Sequence, residues 1–285
     1  MADVQPILDR PTFFFQDASH SVTEAYRELL LDHAPHHYRR PARLMEELIA
    51  EQRRAYAAAD TVFTFSRWFA RWLVEHDGVP AERVLVIGGG LNAPPTRTRP
   101  DDLGAPGPGR PTRVLFVGRE FRRKGGDLVV AAIEQLRSSG SGDFTLTIVG
   151  PAAWPLPTPP PDWIDFRGEM PAAQLGPLWA CHDVFAMPSW FEPYGLAPLE
   201  ARAAGVPCLV RDAFCMPEVV PPRAGRLIPA DGGPDEIAEQ LYALSRDDDV
   251  YARVAADRAG VFAENNWSRV AERAMPRVSD VLARA

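Results

Sequence analysis

From Arg113 onward, short apolar runs alternate with segments of helical periodicity, and this alternation constrains the fold more than any other feature of the chain. Arg113–Val117 reads as a strand and Asp127–Ser138 as a helix. Phe144–Val149 reads as a strand closed by Gly150-Pro151, Trp163–Phe166 as another strand, and Pro171–Ala180 as a helix. Val184–Met187 reads as a strand, Leu196–Ala204 as a helix and Pro207–Val210 as a strand, with two or three helices from Pro234 to the end. Strands separated by helices require crossover connections, so the sheet is parallel and carries helices on both faces. Ligands of such sheets bind outside the carboxyl ends of the strands. Arg119 and Lys124 follow one such end, and Glu192 follows another.

The first third of the chain repeats the pattern more briefly. Thr12–Phe15, Thr61–Phe65 and Arg83–Ile87 read as strands, and Ser21–Leu31, Pro41–Ala59 and Ser66–Glu75 as helices. Between the two halves, Asn92–Pro111 carries Pro94, Pro95, Pro100, Pro106, Pro108 and Pro111 with Gly104, Gly107 and Gly109, and lacks apolar periodicity. That composition reads as a linker. The expected organisation is therefore a domain over 1–96, a linker over 97–111, a second domain over 112–262 and a terminal helix over 263–285, starting within Phe262–Val270. A second proline-rich stretch, Pro155 to Pro161, is expected to be extended and exposed.

Composition narrows the function classes. A length of 285 residues allows two domains with sizeable cores. The net charge of −7 argues against a general nucleic-acid binder. Three cysteines, Cys181, Cys208 and Cys215, form neither an even disulfide framework nor a metal-type pair, and fit a reducing compartment. Met1–Pro6 has neither the basic start nor the apolar run of a signal peptide, and no apolar stretch reaches the roughly 20 residues that span a bilayer. A cytoplasmic protein without a membrane span is expected.

The 31 basic residues include a single lysine, Lys124, in Val117-Gly118-Arg119-Glu120-Phe121-Arg122-Arg123-Lys124-Gly125-Gly126. The arginine bias, with much Ala, Pro and Gly, resembles GC-rich coding. A lysine kept against that bias points to a need for a compact ammonium, such as a point charge on phosphate. The second constellation is Phe191-Glu192-Pro193-Tyr194-Gly195-Leu196-Ala197-Pro198-Leu199-Glu200, in which seven residues separate two glutamates. Glu192 lies on a loop after a strand, and Glu200 falls in the first turns of the next helix. The start of that helix offers free backbone N–H groups to an anion, and Gly195 allows close approach. A carboxylate beside an anion site suits ribose hydroxyls.

Together these blocks resemble the retaining nucleotide-sugar glycosyltransferases of the GT-B fold. The resemblance also uses Ser66 with its helix, Val84–Asn92, Phe166-Arg167-Gly168, Ala180–Ser189, Ala204-Gly205-Val206-Pro207 and Pro217-Glu218-Val219-Val220, all in the family's order over roughly residues 12 to 275. It implies two Rossmann-like doubly wound domains facing a cleft, the N-terminal one incomplete here. It implies that Arg119 and Lys124, beside Gly118, hold the donor diphosphate without a metal ion or cofactor. Amides near Gly195 and Leu196 would contact phosphate or sugar, Glu192 would face the sugar at the reacting centre, and Glu200 would bind the ribose. Fixed cations at the leaving diphosphate and a carboxylate near the sugar stabilise the charge separation of glycosyl transfer.

The sequence departs from the family in two respects. No glycine-rich loop follows the first strand, and only about 95 residues precede the linker. Where the family often carries a histidine, Asp17 and His20 are the candidates. Transfer of a sugar from a nucleotide-diphosphate donor to a sugar, lipid or small-molecule acceptor is expected. The alternatives are a donor-binding chain that needs a partner subunit, and a sugar-nucleotide epimerase of the same fold. An incomplete N-terminal domain would leave an apolar face around Phe13, Phe14, Phe15 and Phe63 uncovered, so self-association or a partner is expected. Asp247-Asp248-Asp249 is read as a solvated turn, Gly88-Gly89-Gly90 as a turn, His33, His36 and His37 as loop residues rather than a zinc site, and Trp190 and Phe191 as packing residues.

Overall fold

The computed structural model describes residues 10–107 and 109–284, and of His37 only the backbone. The leader reading of Met1–Pro6, and Pro108 of the proline-rich segment, lie outside the described residues. The chain divides into two compact units, 1–92 with 265–285 and 93–264.

The second unit holds a six-stranded parallel sheet. Its strands are β4 (Thr112–Val117), β5 (Phe144–Val149), β6 (Ile164–Gly168), β7 (Val184–Met187), β8 (Cys208–Arg211) and β9 (Gly225–Ile228), in the spatial order β6-β5-β4-β7-β8-β9. Numbered within the unit, that order is 3-2-1-4-5-6. It reverses between β4 and β7, which makes the carboxyl ends of those two strands the switch point where a ligand crevice forms. Val114, Leu115, Phe116, Val184, Phe185 and Ala186 are wholly buried because helices cover both faces, which is why β4 and β7 read as continuous apolar runs rather than alternating ones.

The first unit holds a three-stranded parallel sheet, β1 (Phe13–Gln16), β2 (Thr61–Thr64) and β3 (Val84–Val86), with β2 in the middle. Side chains alternate across it. Phe14 meets Tyr56 of the helix Ala42–Ala58 edge to face. On the other side Phe13 stacks on Phe63, and Phe15 packs on Phe65 and Trp267. The helix Trp267–Leu282 contributes Val270, Ala274 and Val278 to the cluster around Phe63 and Ile87. The face expected to lie bare is thus partly covered by the chain's own terminal helix around Phe13 and Phe63, while Phe15 stays 46% exposed.

Several elements differ from the sequence reading. Ser21–Leu31 is two helices, His20–Ala25 and Arg27–His33, broken at Tyr26; the Ser19 hydroxyl caps the first by accepting from the Val22 N–H. Pro171–Ala180 becomes a 3-10 turn, Ala172–Gln174, and a short helix, Gly176–Cys181. The terminal helix begins within Phe262–Val270, as read, at Trp267. Asp248–Glu264 ends just before it, and Asn266 caps Trp267–Leu282 by accepting from the Arg269 N–H at 3.0 Å. Asp248 and Asp249 open the helix Asp248–Glu264, and Asp247 pairs with Arg226 at 2.8 Å, so this triplet is a helix start rather than a free turn. Pro35–Tyr38, with His36, forms a short helix that His33 precedes.

The proline-rich segment is not a free tether. Arg99 is buried and its N–H donates to the Ala204 carbonyl at 2.9 Å. Its guanidinium pairs with Asp183 at 3.2 Å, beside Arg110 at 3.0 Å and Arg113 at 3.1 Å. Proline and glycine exclude helix here without preventing packing.

Candidate functional site

β4 ends at Gly118, and the chain turns through Arg119–Gly125 into the helix Gly126–Ser138. The turn is closed by backbone bonds from Lys124 to Glu120 at 2.9 Å and from Gly126 to Phe121 at 2.8 Å. Gly125 takes φ +74°, and a Cβ there would lie 2.6 Å from the Pro188 carbonyl oxygen. Only glycine lets this turn lie against the loop that leaves β7.

Two further bonds clasp the loops. The Trp190 N–H donates to the Arg123 carbonyl at 2.9 Å. The Arg123 guanidinium donates to the Phe191 carbonyl and is itself held by Glu120 at 2.6 Å. The result brings Lys124 and Glu192 together as an ion pair, both largely buried. Gly118 sits under this pair, since a Cβ there would lie 3.0 Å from Lys124 Cγ. Arg119 is exposed and makes no ion pair among the described residues.

After Glu192 the chain reaches Gly195, in the left-handed region at φ +82°, and enters the helix Leu196–Ala203 with no side-chain cap. A Cβ on Gly195 would lie 2.6 Å from Met216 Cε and 3.3 Å from Glu192 Cγ. The helix start is therefore open, with its first N–H groups aimed away from the helix body. Leu196 is exposed at this start. Glu200 lies one turn further on. Its carboxylate has no hydrogen bond or ion pair among the described residues, and burial pushes it up to about 6.

A second layer holds this loop from below. Arg211, at the end of β8, is fully buried; it donates to the Pro188 carbonyl at 3.3 Å and to those of Ala230 and Gly232, and lies 3.8 Å from the centre of the Trp190 ring. Desolvation pushes it down to about 10. Phe214 is the one non-glycine described residue with positive φ, at 57°, and its ring meets Phe191 edge to face at 5.1 Å. Cys215 donates through its thiol to the Tyr194 carbonyl at 3.0 Å.

Thus Gly118, Lys124, Glu192 and Gly195 form one contiguous group. Arg119 and Glu200 flank it without touching it through any hydrogen bond or ion pair. Sequence reasoning did not find Arg123, Arg211 or Phe214. Each acts through a backbone carbonyl or a ring, and no residue pattern marks such a partner in advance. Among the described residues no cluster of three His, Cys, Asp or Glu side chains could hold a metal. No helix among them is long and apolar enough to cross a membrane.

Residues 111–247, which contain the whole switch point, match the family described as Glycosyl transferases group 1. That segment is similar to this family, and the chain has the GT-B fold of its structural neighbours. The D-inositol 3-phosphate glycosyltransferase of Nocardia farcinica is 29% identical to it over 240 residues, covering 78% of this chain and 52% of that protein. The chain spans about half the length of the curated relatives it matches. Among solved structures, sucrose-phosphate synthase from Thermosynechococcus elongatus superposes with a TM-score of 0.70 at 20% identity, covering 96% of this chain and 68% of that one. Anabaena HepE in complex with UDP and glucose superposes at 0.66 and 19% identity, covering 96% and 72%. These likenesses carry the fold. The matched segment contains both loops, the one after β4 and the one after β7.

Proposed function

We propose that this chain transfers a sugar from a nucleotide-diphosphate donor to an acceptor, with retention of configuration and without a metal ion. The observation that carries the reading is the switch point between β4 and β7. It presents an unpaired Arg119, the Lys124 ammonium, an open helix start at Gly195 and an unpaired Glu200 carboxylate. Arg119 and Lys124 would neutralise the diphosphate as the glycosyl bond breaks, and the Gly195–Leu196 amides would contact phosphate or sugar. Glu200 would accept from the ribose hydroxyls, which would repay its desolvation. Glu192, freed from Lys124, would face the sugar. The nucleotide sugar is substrate, and no resident cofactor is part of this reading. Cytoplasmic glycan synthesis belongs to the same proposal, supported by three cysteines that form no disulfide.

A thermal-shift panel of UDP, GDP and ADP sugars, with and without EDTA, tests it. A ligand that binds only the folded state raises its melting temperature by mass action. One nucleotide class should stabilise the chain equally in both buffers. No response to any of them, or a response only with Mn²⁺ or Mg²⁺, would sink the metal-free donor site.

One observation favours the partner-dependent alternative. Among the described residues β1 and β3 are the edge strands of the first unit's sheet, and sheet edges can pair with other chains. Sedimentation of the full chain distinguishes the readings: a monomer with robust transfer excludes the need for a partner.

A further inference from the structure

β8 ends at Arg211, and the chain turns through residues 212–215 into the short helix Met216–Val219. Phe214 takes φ +57° in this turn, and no other non-glycine described residue has a positive φ. In the left-handed region a Cβ crowds the following carbonyl, a cost that glycine avoids and phenylalanine does not. Such strain persists only where the surroundings hold it, and it collects where a side chain has to be placed. Here the strained backbone carries the half-buried Phe214 ring to Phe191, which it meets edge to face at 5.1 Å. Phe191 is 3% exposed and directly precedes Glu192.

Phe191 is gripped from two loops. Its carbonyl accepts from Arg123, in the loop after β4, and its ring is packed by Phe214, in the loop after β8. The neighbouring contacts act on the main chain: the Cys215 thiol lies 3.4 Å from the Glu192 carbonyl oxygen and 3.0 Å from that of Tyr194. They hold the path of the loop, whereas the Phe214 ring holds a side chain in it. Edge-to-face contact is directional, so it fixes the orientation of Phe191 as well as its depth. A turn of the Phe191 backbone would carry Glu192 with it, away from the Lys124 ammonium.

We propose that Phe214 is a positioning residue: its ring, held out by the left-handed backbone, locks Phe191 and so sets the Glu192 carboxylate against Lys124. The consequence for turnover rests on the transferase reading above; the placement of the ion pair does not.

The chain's single lysine makes the pair visible. Full-length protein grown with lysine isotopically labelled at Cε gives one such NMR signal, from Lys124, and Glu192→Gln marks where that signal lies without the pair. Phe214→Leu and Phe214→Ala should move the signal toward the Glu192→Gln position, while Phe214→Tyr, which keeps the ring, should leave it in place. Phe214→Gly removes the strain and the ring together, and should move it as Phe214→Ala does. Phe144→Leu, a core change at the amino end of β5, should not move it, which separates placement from general loosening. Phe214→Leu, the mildest change, decides where the smaller side chains fail to fold. An unmoved signal in Phe214→Leu, or an equal movement with Phe144→Leu, overturns the proposal. With a nucleotide sugar, Phe214→Leu should lower kcat by about tenfold or more, the scale of a small misplacement. It should bind nucleoside diphosphate at least as tightly as the parent, because the ammonium is no longer shared; a merely structural defect would weaken both. If the Lys124 signal moves as stated and the parent turns over no nucleotide sugar, the transferase reading falls and the positioning stands. Turnover with an unmoved signal removes the positioning alone.

Discussion

The ammonium of Lys124 rests on the carboxylate of Glu192, so the chain's single lysine and the first glutamate of its two-glutamate block neutralise one another across the switch point. They come from opposite loops, after β4 and after β7, and are 68 residues apart in sequence. The side chains are 17% and 8% exposed, so water screens them little. A diphosphate arriving at Lys124 would compete with Glu192 for the same ammonium. Donor binding and the release of Glu192 toward the sugar would then be one event.

This arrangement separates two variants that the sequence alone would treat alike. Arg119→Ala and Lys124→Ala should each weaken nucleoside-diphosphate binding, by about 1.5–3 kcal/mol if each makes a charge-assisted contact. Arg119 is exposed and unpaired, so its loss should leave the melting temperature unchanged. Lys124→Ala leaves the Glu192 carboxylate buried and uncompensated, and should lower stability as well. Calorimetric titration with UDP, GDP and ADP, run beside thermal melts, reads both effects. Unchanged affinity in both variants would remove the clamp.

Glu200 gives a prediction with a sign. Burial holds its carboxyl at about 6, above the ordinary carboxylate range. A group whose pKa is raised on folding favours the fold when protonated, and that contribution is lost as pH rises through the folded value. Near pH 7.5, then, the ionised carboxylate weighs against the unliganded fold. Glu200→Gln should raise the melting temperature at pH 7.5 and raise it less at pH 5.5. The same change should weaken nucleotide binding, whereas a 2′,3′-dideoxy nucleotide should bind parent and variant alike. A less stable Glu200→Gln protein at pH 7.5 would show that Glu200 has a partner within the fold.

How legible was this site in the sequence? The strand ends, the Gly118–Lys124 turn and the two-glutamate block are local patterns, and each falls where the apolar runs end. The strand order 3-2-1-4-5-6 was not legible, because the same alternation serves other doubly wound orders. β9 was missed because Gly225 and Arg226 interrupt its apolar run; it forms because Gly225 lies against the Cys208 backbone, where any Cβ would collide at 1.9 Å. The Lys124–Glu192 pair was missed for a different reason. The two were assigned to opposite ends of the donor, and only the close approach permitted by Gly125 at Pro188 places them together. The contact of Phe15 with Trp267 was also hidden, because it joins residues some 250 apart that share no motif.

Asp183 offers a test of the second unit's core. Its carboxylate is fully buried and meets Arg99, Arg110 and Arg113. Burial alone would raise its pKa, but the bonds and charge from Arg113, with Arg110, hold it below the ordinary range. That contribution to stability is present above the unfolded carboxylate pKa and is lost as pH falls through the lower folded value. Asp183→Ala should cost about 3–5 kcal/mol in urea unfolding at pH 7, since it strands buried guanidiniums without a counter-charge. A loss below about 1 kcal/mol would mean that the arginines re-pair or reach water.

The same cluster fixes where an independent donor-binding fragment must begin. The alternation of strands and helices suggests a start near Pro111, just before β4. Two of the three arginines on Asp183, Arg99 and Arg110, lie before that point. Arg99 also stacks on Tyr251 at 4.5 Å, and the Ala105 N–H donates to Asp248 at 2.8 Å, so the proline-rich segment is stitched to the body of the second unit at several places. The terminal helix belongs to the other unit: Val270, Ala274 and Val278 pack around Phe63 and Ile87. A fragment of residues 93–264 should therefore be soluble, unfold in one cooperative transition and bind nucleotide as the full chain does. A fragment of 112–264 leaves Asp183 with Arg113 alone, and should melt lower or fail to fold. Extending the longer fragment to residue 285 should add an amphipathic helix without its partners, and so promote association rather than stability. Circular dichroism melts and nucleotide titrations of the three fragments decide the matter. Equal stability of 93–264 and 112–264 would show that the segment before β4 is a tether after all.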